Sequence, residues 1–355
     1  MTAPAYWTDA EPLECTMVIP EAPNVRSFAF RAPSGGWFDY RPGQFVTLEL
    51  PLPGGMVHRT FTISSSPSRP LTLSVTVKAQ EGSVASRWMV DHLKPGMRIR
   101  AIGPAGIFAL PTDRPVAARK HLFISAGSGV TPMMAMLGWQ FDGGDDPDTC
   151  FIQCARRPSE LIFRSRLQHM AMRVPGIKLH FVVAGADPYE VWTGYRGRFN
   201  QLMLGLMSPD YLEREVWCCG PESFMQSVRE MLVELGYDMA NYHQESFHAP
   251  VETVADEPVH DDVVPQQSEV AELVFTRSGI TAACRETDTV LGAAKAAGLN
   301  IPSGCTFGVC GTCRVRKLSG EVHMVHSGGI DDEDIADGYI LACCSHPIGR
   351  VEVEA

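Results

Sequence analysis

No stretch of the sequence reaches the roughly 18 consecutive apolar residues of a membrane-crossing helix, so no transmembrane span is expected. Met1 to Glu14 has neither a basic start nor an apolar centre. That argues against a secretory signal and for a cytoplasmic setting. Dense Lys/Arg clusters are missing too, and the formal net charge is −11. Nucleic acid and anionic membrane surfaces are therefore poor partners. No internal repeat is found. Cysteine, in contrast, is plentiful: eleven residues in a chain of 355. With an odd count and no export signal, these read as ligands or buried thiols rather than disulfides.

The length suggests two or three domains, and the composition changes along the chain as such a division requires. Residues 1–112 carry short period-two runs, Val46 to Leu50 and Leu71 to Val77, punctuated by Pro and Gly. They read as an all-β sandwich or small antiparallel β-barrel with one short helix over Ala85 to Leu93. Residues 113–248 alternate apolar strands (His121 to Ala126, Cys150 to Cys154, Leu179 to Ala184, Glu215 to Cys219) with helices (Met133 to Trp139, Ile162 to Ala171, Ser223 to Leu235). That alternation predicts an α/β doubly wound parallel sheet. Residues 249–269 hold six acidic residues, three prolines and no Lys or Arg, and read as an extended linker. Residues 270–355 read as a small α+β unit. A hairpin runs from Glu272 to Cys284, a helix from Thr289 to Ala297, and a strand from Cys313 to Lys317.

The most specific pattern lies in this last unit. Cys305, Cys310 and Cys313 stand in C-x4-C-x2-C spacing, with Cys343 following in Leu341-Ala342-Cys343. This is the plant-type spacing for a [2Fe-2S] cluster, whose two irons need four thiolates. A structural zinc site is the competing occupant, but it usually takes two C-x2-4-C pairs rather than a triplet and a distant fourth cysteine. Gly304, Gly308 and Gly311 suit a loop whose backbone must approach sulfur closely. Cys344 adjoins Cys343; adjacent side chains of an extended segment face opposite ways, so one of the two ligates. Cys343 is preferred, with Cys344 as the alternative.

Three further stretches suit nucleotide chemistry. Arg59-Thr60-Phe61-Thr62 offers a guanidinium for a diphosphate, an aromatic face and hydroxyls. Gly82-Ser83-Val84-Ala85-Ser86 leads into the first helix, where backbone N–H groups receive anions. Gly127-Ser128-Gly129-Val130-Thr131-Pro132 joins a strand to a helix, the context in which a G-x-G meets pyrophosphate. Cys219-Gly220-Pro221 ends another strand and is placed to line the same cleft.

Taken in order, Arg-Thr-Phe-Thr, Gly-x-x-x-Ser, Gly-x-Gly-x-Thr-Pro and Cys-Gly-Pro resemble the ferredoxin–NADP⁺ reductase superfamily over about residues 15 to 355. With the cysteine loop, the chain resembles three-domain reductases of multicomponent oxygenases, nearest to those serving Rieske-type oxygenases that demethylate glycine betaine and similar quaternary amines. Reductases of hybrid-cluster proteins are nearly as similar. The resemblance implies a β-grasp ferredoxin fold for the last unit. It implies that Arg59 binds the flavin diphosphate, with Thr60 among the cofactor-binding residues, that Phe61 stacks on the isoalloxazine and that Thr62 sits near flavin N5. Val77 and Lys78 pass the flavin, and Gly82 to Ser86 hold its pyrophosphate. Gly127 to Pro132 receive the nicotinamide dinucleotide, and Cys219, with Gly220 and Pro221 after it, lies near the nicotinamide. Glu245 and Phe247 edge the hydride-transfer site. Gly103-Pro104-Ala105-Gly106-Ile107-Phe108 resembles the FAD-using rather than the FMN-using branch. Arg156 and Arg157 could take a 2′-phosphate, but the surrounding Ala-Arg-x-Pro-Ser-Glu-Leu-Ile-Phe-Arg stretch goes with NADH in the relatives. The expectation is an enzyme passing electrons from NADH (NADPH less favoured) through FAD and a [2Fe-2S] cluster to a Rieske-type oxygenase. A hybrid-cluster-protein reductase and a zinc-stapled binding module are the alternatives.

Overall fold

A computed structural model of the chain describes residues 5–53, 55–79, 82–112, 119–144, 146–188, 190–245, 269–304, 308, 310–326 and 329–355. Phe247, Cys305 and the linker residues 249–268 lie outside the described residues.

The first unit contains β1 (Leu13–Ala22), β2 (Val25–Arg31), β3 (Phe45–Leu52), β4 (Gly55–Thr62), β5 (Leu73–Lys78), α1 (Val84–His92) and β6 (Arg98–Ala105). Its strands pair antiparallel in the order β4-β3-β6-β1-β2-β5. An antiparallel bridge between Ile63 and Val75 links the two outer strands and closes the sheet. Alternation decides which side chains fill it: Val46, Leu48 and Leu50 on β3 are fully buried in its core with Phe28, Phe30 and Ile63. Each such side chain contributes about 1.5–3 kcal/mol. Ser83 caps α1, its hydroxyl accepting from the Ser86 N–H at 3.4 Å.

The second unit holds β7 (Lys120–Ala126), α2 (Val130–Gly143), β8 (Asp148–Ala155), α3 (Arg164–Arg173), β9 (Ile177–Val183), β10 (Tyr195–Arg196), α4 (Gln201–Met207), β11 (Glu215–Cys219), α5 (Glu222–Glu234) and β12 (Tyr242–Glu245). The sheet is parallel throughout, in the order β10-β9-β8-β7-β11-β12. The order reverses between β7 and β11, which makes their carboxyl ends the switch point of a doubly wound sheet. Val25, Phe108 and Leu110 of the barrel side share one core with Phe123, Met133 and Phe151 of this unit. Ser68 and Arg69 both donate to Asp142 at the end of α2, at 2.5 and 2.6 Å.

The third unit contains β13 (Val270–Phe275), β14 (Ile280–Arg285), α6 (Val290–Ala296), β15 (Arg314–Met324), α7 (Asp332–Ala336), β16 (Tyr339–Leu341) and β17 (Ser345–Val353). The order is β14-β13-β17-β15-β16, with β13 and β17 parallel and the other pairs antiparallel. One helix lies across a mixed sheet, as a β-grasp requires. Thr289 caps that helix, and Gly298 ends it at φ +81°.

The structure adjusts several sequence expectations. The strand expected from Leu71 begins at Leu73. The helix expected from Ile162 begins at Arg164, because Phe163 is left-handed at φ 60°. The strand expected over Cys313 to Lys317 runs from Arg314 on to Met324. Neither β12 nor α4 was expected. β12 has four residues and is defined by its pairing to β11, which its composition does not display.

A buried arginine ties the second unit together. Arg214, with a 1% exposed side chain, donates to Asp210 at 2.7 and 2.9 Å and to Asp148 Oδ1 at 2.8 Å. It also donates to the His121 and Asp148 carbonyls, both at 3.2 Å. These bonds hold the Asp210 carboxyl down at about 2. A depressed carboxyl stabilises the fold above its unfolded pKa and loses that contribution as pH falls through the folded value. Arg214→Ala takes the buried partner from both carboxylates and leaves Asp210, among the described residues, only its Lys120 ion pair at 3.3 Å. It is expected to lower urea-measured stability by about 3–5 kcal/mol and to flatten its pH dependence between about pH 4 and pH 2. An unchanged midpoint would contradict this reading of the network.

Candidate functional site

The crevice at the switch point is made by backbone meeting backbone. After β7 the chain turns tightly through Gly127, at φ +56°, Ser128 and Gly129. A Cβ on Gly129 would stand 2.2 Å from the Cys219 carbonyl oxygen and 2.5 Å from the Gly220 nitrogen. The G-x-G turn and the Cys219-Gly220 strand end therefore touch, and α2 begins from that contact at Val130. Thr131, Pro132 and Val130 are buried. The Thr131 hydroxyl donates to the Ser128 carbonyl at 3.0 Å. It thus braces, from within, the turn expected to receive the dinucleotide.

Beside the turn, β11 and β12 pair with Cys219 opposite Glu245. Glu245 Oε2 is buried and has no hydrogen-bond partner among the described residues. Burial pushes its carboxyl up to about 8. Burial also raises the Cys219 thiol well above its ordinary value, with Glu245 adding to the effect. Trp217 stacks on His243 at 4.2 Å and meets the edge of Phe108 at 5.0 Å, so aromatic surface joins the barrel's last segment to this sheet. Neither Trp217 nor His243 was marked by its sequence context.

On the barrel, Thr62 is buried and Phe61 is half-buried against the barrel core. Arg59 donates to the His58 carbonyl at 2.7 Å and has no carboxylate partner among the described residues. Its charge is thus open to an anion. Val77 places its side chain in the core, so only its backbone is left to offer a ligand. Lys78 reaches across to the second unit, its Nζ 3.4 Å from Glu160 Oε2. The same oxygen accepts from Arg156 Nε at 3.2 Å, while Arg157 is exposed. Glu160, missed in the sequence, joins two residues that were singled out there. Gly82, at φ +79°, and Ser83 lead into α1, where Ala85 and Ser86 are buried and Val84 is exposed.

In the third unit Cys310, Cys313, Cys343 and Cys344 are all buried. The Cys343 N–H donates to Cys313 Sγ at 3.4 Å. Backbone donors aimed at sulfur favour the thiolate form that iron needs. The Cys344 thiol instead donates to the Leu341 carbonyl at 3.7 Å. Gly308 and Gly311 are left-handed, and their Cβ positions fall 2.8 Å from Cys344 Sγ and from the Gly329 carbonyl oxygen respectively. Only glycine fits those approaches. Cys305, the first cysteine of the pattern, lies outside the described residues.

These features suit flat, anionic cofactors: an open guanidinium on the barrel, a backbone cradle at the switch point, and an orphaned acid beside it. Glu245 supplies a test. A carboxyl raised in the folded state is unfavourable to folding between its unfolded pKa and its folded one, so its penalty grows from about pH 4.5 to pH 8. Glu245→Gln removes that penalty. The urea midpoint of the variant minus that of the parent is expected to rise over this interval and level off above it. A difference that is flat in pH would show that Glu245 is ordinarily ionised.

Comparison with known proteins accounts for all three units. A family profile for an oxidoreductase FAD-binding domain matches residues 14–110, one for an oxidoreductase NAD-binding domain matches residues 123–230, and one for a 2Fe-2S iron-sulfur cluster binding domain matches residues 274–347. The fold is similar to that of phthalate dioxygenase reductase, with TM-score 0.60 and 20% identity over 98% of this chain and 100% of that one. It is also similar to part of an intact type IV self-sufficient cytochrome P450 monooxygenase, with TM-score 0.66 and 23% identity over 97% of this chain and 41% of that one. In sequence it is 43% identical to the glycine betaine monooxygenase reductase subunit of Pseudomonas aeruginosa (strain UCBPP-PA14), over 98% of this chain and 96% of that one. It is 62% identical to the stachydrine N-demethylase reductase subunit of Rhizobium meliloti (strain 1021), over 99% of this chain and 98% of that one. The chain therefore belongs to the family of monooxygenase reductase subunits, oxidoreductases built from FAD-binding, NAD-binding and [2Fe-2S] domains.

Proposed function

We propose that this protein draws electrons from NADH and delivers them singly to a Rieske-type terminal oxygenase that N-demethylates glycine betaine or a related N-methylated amine. The observation that carries this is the 62% identity, end to end, with a reductase subunit named for stachydrine N-demethylation. The second relative, named for glycine betaine, supports the same substrate class. When bound, FAD takes a hydride and the [2Fe-2S] cluster takes one electron at a time, so the pair converts a two-electron donor into single electrons.

The chain's own residues hold these groups in register. Arg59 and the α1 entrance from Gly82 to Ser86 bind the flavin diphosphate; Phe61 and Thr62 line its ring. The turn from Gly127 to Pro132 and the Cys219-Gly220-Pro221 strand end receive the dinucleotide by backbone donors at a helix start. Glu245, its carboxyl raised by burial, and Phe247 are assigned to the hydride-transfer edge. Arg156 is already engaged by Glu160. That pair is solvent-exposed and Arg157 stays open beside it, so the preference for NADH rests on the likeness of the surrounding Ala-Arg-x-Pro-Ser-Glu-Leu-Ile-Phe-Arg stretch to NADH-using relatives. Cys305, Cys310, Cys313 and Cys343 hold the cluster; the bond from Cys344 to Leu341 supports Cys343 as the fourth ligand. Buried thiols without disulfides, such as Cys15, Cys150 and Cys218, suit a cytoplasmic setting.

Reconstitution tests the proposal. Mixed with a Rieske oxygenase of the betaine-demethylating class, the protein is expected to couple NADH oxidation to release of formaldehyde from glycine betaine or stachydrine, with NADPH much the poorer donor. Cys343→Ser should lose the visible iron–sulfur absorbance and the coupling; Cys344→Ser should retain both. Rapid reduction of another acceptor with no support of demethylation would overturn the assignment.

A further inference from the structure

The cysteines of the third unit are not covered alike. Cys313, Cys343 and Cys344 belong to that unit's own hydrophobic core, with Leu273, Ala294 and Val351. Cys310 does not. It is 5% exposed, and the buried cluster it joins is made with Phe45 of β3 and Ala105 of β6, both on the flavin barrel. Around that contact the cysteine loop fits the barrel closely. Thr312 Oγ1 lies 3.2 Å from Thr47 Oγ1. A Cβ on Gly304 would stand 2.9 Å from both Thr47 Oγ1 and Cγ2, and 3.0 Å from Thr60 Cγ2. Gly106 leaves room for the Phe45 ring, whose Cε1 would lie 2.9 Å from a Cβ there.

Strand register explains why this seat matters. Phe45 is paired with Thr62, and Thr47 with Thr60, across β3 and β4. Side chains directly opposite in an antiparallel pair share a face. The face that carries Thr62 thus also carries the ring against Cys310. One barrel face presents the flavin-site strand end and the cysteine loop to each other. That same contact covers the one described cysteine of the loop that its own unit leaves without a core.

We infer that the β3–β4 face bearing Phe45, Thr47 and Thr60 is a charging seat for the iron–sulfur unit, and that an outside electron acceptor takes the same face of that unit in alternation with the barrel. This inference rests on the proposed electron path. Seated, the loop receives electrons but its thin side is closed by Phe45. Unseated, Gly304, Cys310 and Thr312 form an uncovered edge on which a protein acceptor can approach the cluster. Seat and acceptor then compete, and the flavin side cannot be short-circuited while the acceptor is docked. The electron count closes without a further reactant: one NADH becomes NAD⁺ and a proton, yielding two electrons, and two one-electron acceptors are each reduced once.

The Thr47–Thr312 contact offers a lock. In full-length protein carrying Thr47→Cys and Thr312→Cys, the two sulfurs fall close enough for a disulfide of about 2.05 Å after small side-chain rotations. Mild oxidation is expected to form it, read as loss of two thiols and a mobility shift, whether or not cofactors are bound. In the locked protein NADH should still bleach both the flavin and the iron–sulfur absorbance. Ferricyanide, a small acceptor that can take electrons from flavin directly, should still be reduced. Reduction of cytochrome c, a protein acceptor, should be lost and should return when a phosphine opens the disulfide. Neither single cysteine variant should form the disulfide, and a phosphine should leave the cytochrome c rate of each unchanged. Cytochrome c reduction at the parent rate by locked protein overturns the competition. Two thiols that persist under oxidant overturn the seat itself, as does a locked protein whose iron–sulfur band NADH no longer bleaches. If the parent's flavin is not bleached by NADH, the functional reading fails instead, and the disulfide result still judges the seat.

Discussion

Close approach of backbone to backbone is the constraint on which this molecule depends. At Gly129 the turn after β7 rests on the Cys219 carbonyl, with no room for even one added carbon. That contact brings the carboxyl ends of β7 and β11 together, starts α2 beside them, and sets Glu245 on β12 next to Cys219. The same device recurs in the cysteine loop, where Gly308 and Gly311 admit Cys344 and the Gly329 carbonyl. It recurs again between units, where Gly304 admits Thr47. Glycine is used at each of these places because the neighbouring atoms occupy the volume of a side chain.

Once these approaches are fixed, the barrel makes contact with each of the other two units. Phe108 and Trp217 join the barrel to the parallel sheet through aromatic contact, and Lys78 and Arg156 meet on Glu160 from opposite sides of the same boundary. Phe45 and Thr47 join the barrel to Cys310 and Thr312. The boundary contacts differ in kind. The first combines a shared apolar core with ion pairs at Asp142 and Glu160. Among the described residues, the second centres on the Phe45 ring and the Thr47–Thr312 contact.

Local patterns were legible in the sequence wherever chemistry depends on neighbours along the chain. The C-x4-C-x2-C triplet, the Gly-Ser-Gly turn and the helix start at Thr289 are of that kind, and the three units of the fold followed from period-two runs and strand–helix alternation. What depends on register or on distant partners was not legible. Glu160 lies four residues from Arg156, yet its second partner, Lys78, comes from another unit. Arg214 reads as an ordinary surface arginine until Asp148 and Asp210 close around it. Val77 shows the converse. Sequence position sends it past the flavin, but strand alternation turns its side chain into the barrel. Phe45 carries no motif at all, and only its pairing with Thr62 gives it meaning.

The claim at the centre of this account is that electrons pass from flavin to cluster in one order. Anaerobic stopped-flow mixing of the cofactor-loaded protein with NADH tests it most directly. Flavin absorbance should fall first and the iron–sulfur band should follow within the same turnover. Full bleaching of the flavin beside an intact iron–sulfur band that never changes would contradict it.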